Sequence, residues 1–201
     1  MSTRRRGFTI AEMLIALALT AALLTAAMSA LDATFDSYKV NSESASTHVV
    51  SRIVVHRILA MIRTGKEFGP YPVDIMDSAQ NPLQSDFIEF VSLDDADTGH
   101  RQVTRIERRD APAGADAPYE LWYVLSDYEG GDLVSTEQHP LIAGVRDAVF
   151  TMEYARGPRL KKATIDLSVQ ASPEIEAISI DGDITPNTIR LVASATPRQF
   201  D

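Results

Sequence analysis

RRRGFTIAEMLIALALTAALLTAAMSAL, residues 4 to 31, decides how the rest of the chain is read. From Met13 to Leu31 there are 19 positions without a charge, a glycine or a proline, and only Thr20, Thr25 and Ser29 interrupt the apolar run. At 1.5 Å rise per residue such a helix is roughly 28 Å long, close to the ~30 Å hydrocarbon layer of a bilayer. A run of this length and composition reads as a membrane helix or an export signal rather than as a buried helix of a soluble protein. Arg4, Arg5 and Arg6 precede it, and basic residues hold their end of a membrane segment in the cytoplasm, so the chain after residue 31 is expected on the far side.

Glu12 breaks the apolar pattern four residues after Phe8. A carboxylate at bilayer depth costs on the order of 3 kcal/mol. Leu14, Ile15, Leu17, Leu19, Leu23 and Leu24 return about 0.5 kcal/mol each, so insertion is tolerated while the charge itself stays unexplained. It needs a counter-charge. If the chain were cut between Gly7 and Phe8, the new amine on Phe8 would be cationic near neutral pH and able to pair with Glu12, within one helix or between packed helices. Glu12 also complements the positive end of the helix dipole. The alternative is a glutamate that snorkels to the interface.

Arg6-Gly7-Phe8-Thr9-Ile10-Ala11-Glu12-Met13-Leu14, followed by an apolar helix, resembles the class III signal of type IV prepilins and type II secretion pseudopilins. Gly7, Phe8 and Glu12 match that pattern, and Ile10 stands where Leu is usual. The resemblance implies cleavage after Gly7 by a prepilin peptidase in the inner membrane and N-methylation of Phe8. It also implies that Glu12 sets subunit register as the helix packs against other pseudopilins or pilins. Arg5-Arg6-Gly7-Phe8 also fits a twin-arginine export signal, with Ala27-Met28-Ser29 as its cleavage site; that reading predicts that helical character stops near residue 30.

Between Phe8 and Thr64 there is neither Gly nor Pro over 57 residues, although these make up 20 of 201 positions. Chance gives such a gap roughly once in four hundred, so it reads as one long helix. Asp32 to His48 is rich in Ser, Thr and Asn and is expected to fray or bend. From there Val50, Val54, Ile58 and Met61, widened by Ile53, Val55 and Ile62, form a stripe to pack on a globular head. Thr64-Gly65 stops the helix, and Gly69-Pro70-Tyr71-Pro72 prevents its resumption.

Beyond residue 72 the pattern is one of strands and loops. Phe87 to Ser92, Val103 to Arg108 (polar, read as exposed), Tyr119 to Leu125, Ala148 to Tyr154, Ala163 to Val169 and Thr188 to Ala193 are the strands. Asp94 to Gly99, Asp110 to Pro118 and Asp127 to Asp132 are loops. The fold class is α+β, a long N-terminal helix packed on an antiparallel sheet, with these parts: leader 1–7, transmembrane helix 8–31, helix continuation 32–64 and β-rich head 65–201. Pro140-Leu141-Ile142-Ala143-Gly144-Val145, then Ala148 to Tyr154, a turn, and Leu160 to Val169 is similar to J-type minor pseudopilins, although Ala155-Arg156-Gly157-Pro158-Arg159 replaces their aromatic-rich turn. The two resemblances together imply a pilin-like minor subunit of a type II secretion system without catalysis of its own, anchored by one span in the inner membrane with its head in the periplasm. A type IV minor pilin is the alternative within the class, and an exported domain of other activity the alternative outside it.

Composition narrows the chemistry. Without cysteine there are no disulfides, thiolate metal sites or cysteine nucleophiles. A net charge of −9, which becomes −12 once the three arginines of residues 1–7 are removed, argues against nucleic acid as a partner. His48, His56, His100 and His139 are too scattered for a zinc site, and no nucleotide-binding glycine loop or G-x-S-x-G occurs, so no cofactor is expected. Asp94, Asp95 and Asp97 with Gly99 faintly resemble a calcium loop but lack its terminal Glu, so they read as a solvated acidic loop. Trp122, with Tyr119 and Tyr123, reads as core and sheet face.

Overall fold

The computed structural model describes residues 9–155, 159–171, 176–178, 184–186 and 188–198, with the backbone alone at 176–178 and 184–186. Among these residues there is one helix, α1 (Ile10–Thr64), followed by β1 (Lys66–Gly69), β2 (Leu83–Ser85), β3 (Phe87–Asp95), β4 (His100–Asp110), β5 (Tyr119–Glu129), β6 (Asp132–Tyr154), β7 (Leu160–Gln170), β8 (Glu176–Ile178), β9 (Ile184–Pro186) and β10 (Thr188–Ala195). The protein is thus an α+β, pilin-like chain of one long helix and an antiparallel sheet. It divides into two compact units, Met1–Ser42 and Glu43–Asp201.

In the first unit the helix is exposed all round, with Met13, Leu14, Leu17, Leu23 and Leu24 each more than 60 % accessible. Apolar side chains left uncovered along a whole helix fit a lipid environment rather than water. The hydroxyls that interrupt the run serve themselves. Thr20 Oγ1 donates to the Ala16 carbonyl at 2.5 Å and Thr25 Oγ1 to that of Ala21 at 2.9 Å, so neither leaves an unmet polar group in hydrocarbon. Asp32 to His48, expected to fray or bend, is helical throughout. Thr34 and Ser37 donate in the same way to Ala30 and Ala33, which removes the competition for the backbone that makes such residues helix-breakers.

In the second unit the last turns of α1 pack on one face of an eight-stranded sheet of order β1-β3-β4-β5-β6-β7-β10, to which β2 adds by pairing with β6. Every pairing is antiparallel. Val54, Val55, Ile58, Leu59 and Ile62 meet Ile88, Phe90, Ile106, Leu121, Phe150, Ile165 and Leu167 in one core. Val54, Val55, Ile58 and Ile62 of the expected stripe are buried, and its margin differs. Val50 and Ile53 are 44 % and 61 % exposed, while Ser51 is fully buried, its Oγ donating to the Thr47 carbonyl at 2.7 Å. The helix ends where Gly65 passes the Phe90 ring so closely that a Cβ there would lie 2.5 Å from Cδ2, and the Arg198 amide donates to the Arg63 carbonyl at 2.8 Å.

The strand read as exposed, Val103 to Arg108, lies inside the sheet between β3 and β5, with Thr104 and Ile106 buried. Its arginines are accommodated by stacking: on the face away from Thr104 and Ile106 the Arg105 guanidinium lies 3.8 Å from the Phe87 ring centre and Arg109 4.9 Å from Trp122, while Arg108, on the same face as Thr104 and Ile106, lies 4.4 Å from Tyr119. Asp127 to Asp132 is likewise no loop. β5 and β6 join through Gly130-Gly131 alone, both at positive φ, the two-residue turn that suits the twist of a hairpin. The segments that resemble J-type pseudopilins are neighbouring antiparallel strands, β6 and β7, with Phe150 opposite Ile165.

Candidate functional site

The chemistry-bearing N-terminal segment begins, among the described residues, at Thr9; Gly7 and Phe8, the expected cleavage and methylation positions, lie outside them. Thr9 is the residue before the first helical position and Glu12 is the third residue of the first turn. Thr9 N–H and Thr9 Oγ1 each donate to Glu12 Oε2 at 2.8 Å, and Glu12 N–H donates back to Thr9 Oγ1 at 3.2 Å. The first intrahelical bond, from Met13 N–H to the Thr9 carbonyl, is 3.1 Å. This is a capping box: helix-start amides that have no carbonyl partner are satisfied by the two side chains, and the carboxylate lies at the positive end of the helix dipole.

Beyond the counter-charge and dipole roles expected of Glu12, the structure adds Thr9 as its partner; Thr-x-x-Glu before an apolar run is itself a helix-start signal. Both residues are exposed, so the carboxylate oxygens remain reachable by a second donor. Just beyond, Ile10, Met13, Leu14 and Leu17 border an apolar groove on the helix surface. Their spacing places them on one face, suited to an apolar neighbour.

The acidic candidates Asp94, Asp95 and Asp97 are not gathered. Asp94 and Asp95 are consecutive on β3, so their side chains leave opposite faces of the strand, and they stand opposite Arg101 and His100. Asp95 accepts from Thr98 Oγ1 at 2.8 Å and from the Asp97 amide at 3.1 Å, and these bonds, the hydroxyl first, hold its carboxyl below the usual carboxylate range. Its oxygens are therefore engaged in shaping the turn that ends in Gly99. Among the described residues no group of three His, Asp or Glu side chains is arranged to hold a metal. An open depression of about 550 Å³ beside this turn has Glu67, Glu89, Asp94 and Asp95 on its wall together with Arg101, which pairs with Glu67 at 2.5 Å. Trp122, read as core and sheet face, is on the sheet face, its Nε1 donating to Glu120 at 3.0 Å, whereas Tyr119 and Tyr123 pack against the core.

Residues 2–28 match the family described as the prokaryotic N-terminal methylation motif. No curated protein matches the chain, and no solved structure does either. The match spans Gly7, Phe8, the Thr9–Glu12 cap and most of the apolar run, and it supports a type IV pilin- or pseudopilin-like protein anchored in a membrane by its N-terminal helix. Such a motif implies processing by a prepilin peptidase and assembly with other pilins.

Proposed function

We propose that the chain is a minor pseudopilin of a type II secretion system, J-type, acting as a non-catalytic subunit that helps initiate or cap the pseudopilus. In this reading residues 1–7 are a leader removed by the prepilin peptidase, Phe8 becomes the methylated terminus, 8–31 spans the inner membrane, 32–64 continues the helix into the periplasm and 65–201 forms the head. The observation that carries it is the joint occurrence, within residues 2–28, of the methylation motif and an exposed Glu12 at the start of an apolar helix. The Thr9 cap supports the same reading, because a carboxylate held by its own helix end can wait in the membrane until another subunit's amine replaces those donors. The adjoining strands β6 and β7, with Gly144-Val145 ahead of an aromatic stretch, support the subtype.

A twin-arginine signal requires helical character to end near residue 30, and the helix instead continues to Thr64, which favours the pilin reading. The test is Glu12→Ala. The substitution removes the hydrocarbon penalty together with the counter-charge, so the protein should insert normally and fail to enter the filament. Unimpaired incorporation counts against the assigned role.

A further inference from the structure

β6 exchanges partners along its length. From Asp132 to Val145 it pairs with β5 along one edge; on the other edge β7 joins only from Val145 onward, opposite Val169. The change comes at Gly144, at positive φ, and at a register shift between Val145 and Asp147. Among the described residues no strand pairs with the β7-side edge of β6 ahead of Val145. All nine residues from 132 to 140 are exposed, Leu133 and Val134 at 56 % and 59 %.

An exposed strand edge presents a row of unmet N–H and C=O groups, and proteins commonly guard such edges with lysines, prolines or bulges. Here no lysine occurs in 132–140 and the only proline is Pro140, at the end of the open stretch. One bulge is present, because Asp127 faces Ser135 while Tyr128 faces Leu133, making Val134 the extra residue. From Ser135 to His139 the register is regular. The other open edges are less available: β1 has four residues, and β10 carries Arg190, locked onto both carboxylate oxygens of Asp166, with alternate residues half-buried.

The charge around the edge selects its occupant. Asp132 and Glu137 lie on it and Glu129 is opposite Asp132 on β5; His139, 3.8 Å from Glu137, is the one basic-type side chain in 132–140, and Arg109, which reaches Gln138 from β4 at 2.9 Å, is already paired with Glu107. A second copy of a chain with net charge −9 would bring like charge to this edge. We propose that the open edge of β6 over Leu133–His139 is a strand-addition site for an extended segment of a different protein with alternating basic and apolar side chains. Backbone bonds to the edge supply attachment, Leu133 and Val134 supply apolar contact, and Asp132 and Glu137 select positive charge. The inference stands on the head alone and is independent of the secretion reading.

The test uses the full chain in a non-ionic detergent and two fluorescent peptides, Lys-Val-Lys-Val-Thr-Val-Lys-Val and the same sequence with Glu in place of Lys. The basic peptide should bind saturably by anisotropy and slow hydrogen exchange of those 133–139 amides that point away from β5, and the acidic one should do neither. Val134→Lys with Thr136→Lys, which installs the usual edge guard, should weaken binding about tenfold or more with unchanged circular dichroism. Glu137→Lys alone, at an exposed position, should shift preference toward the acidic peptide. No binding, equal binding of both peptides, slow exchange in the free chain at the amides that point away from β5, or protection of those amides that grows with protein concentration without peptide would each overturn the proposal. The last two identify the chain itself or a second copy as the occupant.

Discussion

Glu12 Oε2 receives two hydrogen bonds from Thr9, one from its backbone N–H and one from its hydroxyl, both at 2.8 Å. The acid that the sequence leaves isolated at the head of an apolar helix is therefore held by the residue three positions before it. Thr9→Val keeps the shape and removes the hydroxyl, and loss of such a cap costs about 1 kcal/mol. Hydrogen exchange of the first-turn amides should accelerate in Thr9→Val and stay near wild type in Thr9→Ser. Equal exchange in all three would show that the cap does not form.

The position of the buried stripe separates two isoleucines five residues apart. Ile58 is fully buried and Ile53 is 61 % exposed. Ile58→Ala should destabilise the folded head by about 2 to 5 kcal/mol, and Ile53→Ala by less than about 0.5 kcal/mol. Thermal or denaturant unfolding of the two variants checks this, and comparable losses would restore the stripe read from periodicity.

That stripe shows what the sequence could and could not supply. The length of α1 was legible because the absence of Gly and Pro from Phe8 to Thr64 left nothing to end it, and Gly65 marked the stop because no side chain fits beside Phe90. The buried face of the helix was legible at Val54, Val55, Ile58 and Ile62 and missed at its margin, where Ser51 is buried and bonded to its own backbone while Ile53 faces out, which inverts hydropathy at two positions. β4 was misjudged for a related reason: arginine reads as exposure, and Arg105, Arg108 and Arg109 instead lie over aromatic rings supplied by β3 and β5, contacts that depend on strand register. Asp127 to Asp132 read as a loop because composition does not show where a two-glycine turn lets both strands continue. At the candidate site, Glu12 stood out as a lone charge ahead of an apolar run, and Thr9 was in view but unused.

Tyr154 joins strand to loop. Its hydroxyl donates to the Pro70 carbonyl at 2.7 Å, and Asn81 brackets its backbone, donating to the Tyr154 carbonyl and accepting from its amide at 2.9 Å each. Burial pushes the phenol up from its ordinary value. The folded state thus keeps the proton longer than the unfolded chain, so this contribution is intact below the unfolded pKa of about 10 and declines as pH rises above it. Tyr154→Phe should cost about 1 to 2 kcal/mol at neutral pH, since it leaves the Pro70 carbonyl without its donor. The variant should also lose one late phenol from an absorbance titration. An unchanged titration would contradict the assignment.

Acid should act in the opposite sense. Arg190 donates to Asp166 through Nε at 2.9 Å and Nη2 at 2.5 Å, and this holds the Asp166 carboxyl below the usual carboxylate range. Asp127, bonded to Gln102, Ser135 and His100, and Glu153, bonded first to Lys161, are lowered as well. Groups lowered on folding stabilise above their unfolded pKa, about 4, and lose that contribution as pH falls through the folded value. Melting temperature should therefore drop below pH ~4, and Asp166→Asn should flatten the drop. The same slope in variant and wild type would show that the pair does not matter.

The account rests on a terminus made at Phe8 to face Glu12. Intact-mass and N-terminal fragment spectra of the protein isolated from its own membrane test it directly. The predicted result is a chain beginning at Phe8, carrying one added methyl group and retaining the apolar helix; a chain that keeps Arg4-Arg5-Arg6, or one that begins near residue 30, would contradict it.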